Sequence, residues 1–155
     1  MTKDEQIMKN LIDYGYQQMK KLDAYPFCAA IVKDGVIISR GYAMISTYGD
    51  KTTHGEMVAM RRASRALSRG IDLKGYSIYS NCECCLACFD AALWAGIRSF
   101  VFATDHTDFP EYFHDHPYQI DDYIKDNPGE INVIKGVLRE EARELFMTAK
   151  KKYGW

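Results

Sequence analysis

Apolar residues recur at three- and four-residue intervals in four stretches of this 155-residue chain, and short apolar runs bounded by turn residues stand between them. Helical and strand periodicities therefore alternate along its length. Thr2-Lys3-Asp4-Glu5 has the spacing of a capping box, and Ile7, Met8, Leu11, Ile12, Met19 and Leu22 follow on one stripe, which predicts a first helix ending before Pro26. Residues 27–32 and 36–39 read as two strands joined by a tight turn at Lys33-Asp34-Gly35, with 42–48 extending the second strand and Gly49-Asp50 breaking it. A second helix is expected over 54–69, with Met57, Met60, Ala63 and Leu67 on its stripe and Gly70 as its stop. Residues 76–79 give a third strand, 85–95 a helix closed by Gly96, and 99–103 a fourth strand. The acid-rich segment 105–127 reads as a loop with one helix near 119–125; 131–134 is a fifth strand. Leu138, Ala142, Leu145, Phe146, Ala149 and Tyr153 mark a final amphipathic helix. Alternation of this kind is the pattern of an α/β fold, a sheet covered by helices on both faces and made mixed by the first hairpin.

Composition narrows the picture. With 47% hydrophobic and 26% charged residues and no repeat or linker, residues 1–155 read as a single domain able to close a core. The charged first residues lead into no long apolar run, so neither a leader nor a membrane span is expected, and the chain reads as cytoplasmic. Twenty basic against 21 acidic residues leave no positive surplus for a nucleic-acid backbone, which disfavours a polyanionic partner.

Cysteine placement changes the picture most. Four of the five cysteines (Cys82, Cys84, Cys85, Cys88) lie within seven positions, too close together to staple distant loops, so they read as ligands rather than as a disulfide framework. Upstream stands His54-Gly55-Glu56. H-x-E followed by C-x-x-C is the signature of a zinc deaminase, apart from a proline that Cys84 replaces. One helical turn offers both sulfurs of Cys85 and Cys88 to one ion, and His54 supplies a third ligand. The expected cofactor is therefore one Zn²⁺ per chain. Helix N-termini at these positions favour thiolate over thiol. Three protein ligands leave the fourth position to water, whose pKa on zinc falls to about 7, and Glu56, two residues from His54, is placed to shuttle its proton. The competing reading is a closed structural zinc site with Cys82 or Cys84 as fourth ligand, which would have no chemistry.

The two motifs, His54-Gly55-Glu56 and the stretch from Cys82 to Ala95, resemble the hallmarks of the cytidine deaminase-like superfamily, most closely the bacterial guanine deaminase and tRNA adenosine deaminase branch. Pro26-Phe27, the hairpin ending at Gly35, Ala103 to Asp108, Phe113-His114-Asp115 and the tail at Lys150 to Tyr153 are similar too. The resemblance implies a three-layer α/β/α sandwich around a five-stranded mixed sheet, a homodimer, and substrate contacts from Asp115, Trp94, Phe27, Phe113 and Tyr153. From the residues alone, Trp94 and Phe27 read as core, Asp115 as a solvated charge, and His106, His114 and His116 as loop histidines. The chain departs from the family at four places. Cys84 replaces a proline, Gly55 an alanine, Cys28 a glycine, and Gly49 an asparagine whose amide reads the substrate in the family. His-Gly-Glu is also similar to the fungal cytosine deaminase motif.

The expected substrate is a small aminated heterocycle, guanine-like first and cytosine-like second, with a tRNA adenosine next and nucleic acid otherwise disfavoured. Residues 105–126 carry seven acids against Lys125 alone, which would repel phosphate near the site. Tyr153 and Trp155, with Gly154 between them, are expected to close the pocket in a homodimer.

Overall fold

The computed structural model describes residues 1–22, 24–68, 72–112 and 117–154. Its elements in chain order are α1 (Lys3–Leu22), β1 (Cys28–Lys33), β2 (Val36–Tyr42), α2 (Ile45–Tyr48), α3 (Gly55–Leu67), β3 (Ser77–Cys82), α4 (Leu86–Trp94), β4 (Ser99–Thr104), α5 (Ile120–Asp126), β5 (Asn132–Ile134) and α6 (Arg139–Tyr153). A 3₁₀ turn spans Pro110–Tyr112. The sheet has the order β2-β1-β3-β4-β5; β1 is antiparallel to β2 and to β3, while β3, β4 and β5 are parallel. This is the expected five-stranded mixed sheet.

Strand alternation divides the core in two. Cys28, Ala30 and Val32 of β1 and Val101 and Ala103 of β4 face α1 and α6. Ala29 and Ile31 with Phe100 and Phe102 face α3 and α4. Both faces are covered, which is why β1 and β4 read as continuous apolar runs. The capping box at the chain start forms as its spacing predicts: Thr2 N–H donates to Glu5 Oε2 (2.7 Å) and Glu5 N–H to Thr2 Oγ1 (3.2 Å). Asp34 and Gly35 both hold positive φ (48° and 75°), the conformation a two-residue hairpin turn requires.

Two expectations need correction. Residues 42–48 do not prolong β2: the strand ends at Tyr42 and Ile45–Tyr48 forms a helical turn closed by Gly49 at φ 61°. Met44 N–H donates to Thr53 O (2.9 Å), folding the chain back toward the H-x-E motif, and this long-range bond outweighs the strand propensity of the segment. Trp94, which reads as core from the residues alone and as a pocket wall from the resemblance, is 86% exposed and so not part of the core. The Gly70 stop lies outside the described residues.

Candidate active site

α3 and α4 begin at the same end of the sheet, and each presents a ligand from the residue before its first turn. His54 is the N-cap of α3 (φ −68°, ψ 160°) and Cys85 the N-cap of α4 (φ −70°, ψ 165°). Neither side chain caps its own helix, so both remain available to a shared ion. Cys88, one turn into α4, completes a group whose ligand atoms all lie within 4.8 Å of one another. Cys85 Sγ stands 3.6 Å from His54 Nδ1. A tetrahedral ion bonded at about 2.3 Å to sulfur and about 2.1 Å to nitrogen would separate two such atoms by about 3.6 Å, so the donor set fits zinc in geometry as well as in chemistry. Among the described residues neither Cys82 nor Cys84 joins that group, and both are buried, in different apolar clusters. A closed four-ligand site is thus not assembled from them.

The electrostatics follow from the burial. The Cys88 thiol donates toward Cys85 and, with His54, holds the Cys85 thiol down to about 4, whereas keeping that proton pushes Cys88 up. His54 is raised by its contact with Cys85. Burial lifts the Glu56 carboxyl above its ordinary range, and the negative charge of Cys85 adds to this, against the opposing effects of His54 and Ser80. Glu56 is only 7% exposed, and Ser80 Oγ donates to its Oε1 at 3.1 Å, with Cys28 O at 3.4 Å as a second acceptor in reach. A raised carboxyl that can hold a proton beside a metal site is suited to acid and base work in turn.

Two of the departures from the family pattern touch one another. A Cβ on Gly55 would meet Phe27 O at 2.9 Å and Cys28 Cα at 3.3 Å. The chain has a side chain at 28 and none at 55, the reverse of what the resemblance implies; the crowding at 55 is with main chain, while the Cys28 side chain lies in the cluster with α1 and α6. Gly49 closes α2, and the adjacent Asp50 carboxylate is taken by Thr52 N–H (2.8 Å) and Thr52 Oγ1 (2.7 Å), so Asp50 does not stand in for the missing asparagine.

Of the expected substrate contacts, Phe113 and Asp115 lie outside the described residues, as do His114, His116 and Trp155. Phe27 is half-buried and its ring lies 5.0 Å from that of Phe146. Trp94 ends α4, more than two helical turns from Cys85, and lines a separate groove with Met57, Met60, Leu73 and Ala91. It is not brought to the ligands within one chain. Tyr153 packs edge-on against Tyr25 (5.1 Å), and its hydroxyl donates to Ala24 O at 3.3 Å, on the segment leading to Phe27.

Sequence reasoning missed a polar network built on the buried Glu83 beside the cysteines. Glu83 Oε2 accepts from His106 N–H (3.0 Å) and Lys135 Nζ (3.2 Å), with His106 Nδ1 at 3.1 Å, and Lys135 also reaches Asp121 (2.9 Å). Glu83, Asp105 and His106 are close enough to suggest a second cation site, but the Lys135 ammonium already serves the Glu83 carboxylate. Only the position of Glu83 inside the cysteine motif pointed to it. Lys135, 52 residues away, carried no local signal.

With the fold and this geometry in place, comparison with known proteins is direct. The chain belongs to the family described as the cytidine and deoxycytidylate deaminase zinc-binding region, which matches residues 1–104. It is 40% identical over 86 residues to guanine deaminase of Bacillus subtilis, a match covering 56% of this chain and 54% of that enzyme. It is 28% identical over 149 residues to the tRNA-specific adenosine deaminase of Haemophilus influenzae, covering 94% of this chain and 82% of that one. The fold matches a solved guanine deaminase from Nitrosomonas europaea with a TM-score of 0.83 at 23% identity, covering 95% of this chain and 84% of that chain.

Proposed function

We propose that the protein is a zinc-dependent hydrolytic deaminase of a free aminated heterocycle, guanine-like first, acting on the C–N bond of a cyclic amidine and releasing ammonia. The observation that carries the reading is a three-ligand site with a buried, Ser80-held carboxyl beside it. Zinc bound by His54, Cys85 and Cys88 would acidify a water toward neutral pH and so supply the nucleophile. The Glu56 carboxyl, held by Ser80 at Oε1, would take that water's proton and pass it to a ring nitrogen. Once the water oxygen has bonded to the amine-bearing carbon, Glu56 would take the proton remaining on that oxygen and deliver it to the exocyclic amine, after which the C–N bond breaks and ammonia leaves.

The preference for a base over a phosphorylated substrate rests on the B. subtilis relative more than on charge. Asp105 and Asp108 pair with Arg139, Asp108 also with Arg143, Glu111 with Lys150, and Asp121 with Lys135, so most of the acidity of the segment is already answered. A tRNA adenosine is the second reading, favoured by the match to the H. influenzae enzyme. Ammonia release measured across guanine, cytosine, isocytosine, aminated triazines, nucleosides and a tRNA anticodon stem-loop decides between them. Turnover of guanine supports the first, and turnover of the stem-loop alone overturns it.

A homodimer and a cytoplasmic location complete the reading. The groove of about 510 Å³ beside the exposed Trp94 is lined by Met57, Met60, Leu73, Ala91 and Ala95, an apolar surface that a second copy would cover. Cys28, Cys82, Cys84, Cys85 and Cys88 are all free, as a reducing compartment requires, and no helix among the described residues is long and apolar enough to cross a membrane. Light scattering should give twice the chain mass, and Trp94→Glu should halve it. A wild-type monomer at tens of micromolar would refute the dimer.

A further inference from the structure

The antiparallel ladder between β1 and β3 runs from Val32↔Ser77 to Ala29↔Ser80 and stops there. One position further on, Asn81 continues it with its side chain. Its Nδ2–H donates to Pro26 O at 2.7 Å, and its Oδ1 accepts from Cys28 N–H at 3.0 Å. The carboxamide is 0% exposed, so each of these bonds forms away from competing water. Together they take hold of the main chain on both sides of Phe27. The Phe27 carbonyl is held from a third direction by Ala43 N–H (3.0 Å). Gly55, between the metal ligand His54 and Glu56, lies directly against Phe27 O and Cys28 Cα. Asn81 itself stands four residues before Cys85, and its own carbonyl is tied to Thr104 Oγ1 at 3.2 Å. The amide therefore couples the strand that leads into the cysteine pair to the segment on which the H-x-E half of the site rests. An amide is the side chain that offers a donor and an acceptor on one rigid plane; aspartate keeps the acceptor only, and serine is too short to span both groups.

We propose that Asn81 is a positioning residue that fixes Phe27 as a wall of the base pocket; this rests on the reading of the site as a base deaminase with Phe27 in contact with the ring. Asn81→Asp, nearly identical in shape, should retain one zinc per chain and a kcat within about threefold of wild type while raising KM for the best base at least tenfold. In a Phe27→Ala background the same substitution should raise KM no further. An unchanged KM, additive effects in the double variant, or loss of zinc would each overturn the assignment. Hydrogen exchange supplies a readout that needs no substrate. In the wild-type protein the Cys28 amide should exchange as slowly as that of Ala30, and in Asn81→Ala, which removes the acceptor of its hydrogen bond, at least tenfold faster. Rapid exchange at Cys28 in the wild type overturns the clasp even if no Asn81 variant folds. Should the wild type turn over none of the bases, the functional reading fails, and exchange at Cys28 still decides the clasp by itself.

Discussion

The end of the sheet where α3 and α4 begin and the periphery that would read a substrate are built on opposite principles. At the metal end, each group is fixed by local geometry: ligands at two N-cap positions and one helical turn on, and a buried glutamate at N2 beside them. At the periphery, Phe27, Tyr153 and the segment after β4 are placed by contacts between residues far apart in sequence, such as Arg139 with Asp108 (3.0 Å) or Tyr153 with Ala24. The first kind of site tolerates drift in the rest of the chain. The second is where related enzymes can change substrate while keeping their chemistry.

The largest expected effect breaks the metal end without disturbing its ligands. Glu56→Gln keeps the side-chain shape and the contact with Ser80 but cannot shuttle a proton, so kcat should fall at least a thousandfold on whichever base proves best, with one zinc per chain retained. Metal analysis beside steady-state kinetics checks both halves. A variant that keeps more than a tenth of wild-type kcat would remove Glu56 from the chemistry.

Next in size is the contact between the two departures from the family pattern. Gly55→Ala drives a Cβ to 2.9 Å from the Phe27 carbonyl, and main chain cannot yield as a flexible side chain would. The expected loss is about 2 kcal/mol, comparable to other overpacked positions. Cys28→Gly in the same chain should recover at least half, since it lets the opposing main chain adjust. Denaturant unfolding of the two single variants and the double variant measures this. Purely additive losses would mean that the swap at 28 and 55 is coincidence.

An effect of about 2 kcal/mol is also expected at the periphery, and it carries a pH signature. Partial burial raises the Asp108 carboxyl, but the Asp105 main-chain N–H and the Arg139 and Arg143 guanidinium groups outweigh that and hold it below its ordinary range. Because the folded-state value is depressed, its contribution to stability is present above the unfolded value of about 3.9 and is lost as pH falls through the folded one. Asp108→Asn should therefore cost about 2 kcal/mol at pH 7, and the gap to wild type should close below pH 4. A gap independent of pH would show that shape, not charge, holds this segment to α6.

How far the sequence could be read follows the same division. His54, Cys85 and Cys88 were legible as a candidate metal group because spacing suggests what an N-cap and a helical turn present, and the fold brings the three side chains together. The strands were legible where burial on both faces made them continuous apolar runs. Residues 42–48 misled because Tyr42, Ile45, Thr47 and Tyr48 favour strands, whereas the bond from Met44 to Thr53 and the left-handed Gly49 decide the path. Trp94 misled because a tryptophan on an apolar helix reads as core until the neighbouring helix is seen to leave it uncovered. The acidic segment read as repulsive because its partners, Lys135, Arg139, Arg143 and Lys150, lie beyond it in the chain. Ser80 and Asn81, just past the expected strand 76–79, drew no reading of their own, since nothing local reveals that one meets a glutamate 24 residues upstream and the other a loop 55 residues upstream.

The smallest expected effect concerns the tail and separates a lid from a strut. Tyr153 is half-buried against Ala24, with its ring edge-on to Tyr25 and its hydroxyl on the Ala24 carbonyl. A residue so engaged holds the segment that enters Phe27, whether or not it also covers a bound base. Tyr153→Phe removes only the 3.3 Å hydrogen bond and should cost well under about 1 kcal/mol, with KM shifting less than threefold. Deleting residues 153–155 also removes the ring pair, worth about 1 kcal/mol, so thermal stability should fall modestly rather than stay untouched. The two roles part in the kinetics. If Tyr153 acts as a strut alone, the truncation raises KM in proportion to the loosened segment, and the Asn81→Asp and truncation effects overlap in the double variant. If the tail also closes over the base, kcat falls in the truncated protein while the effect of Asn81→Asp on KM is preserved, because cover and wall then contribute independently.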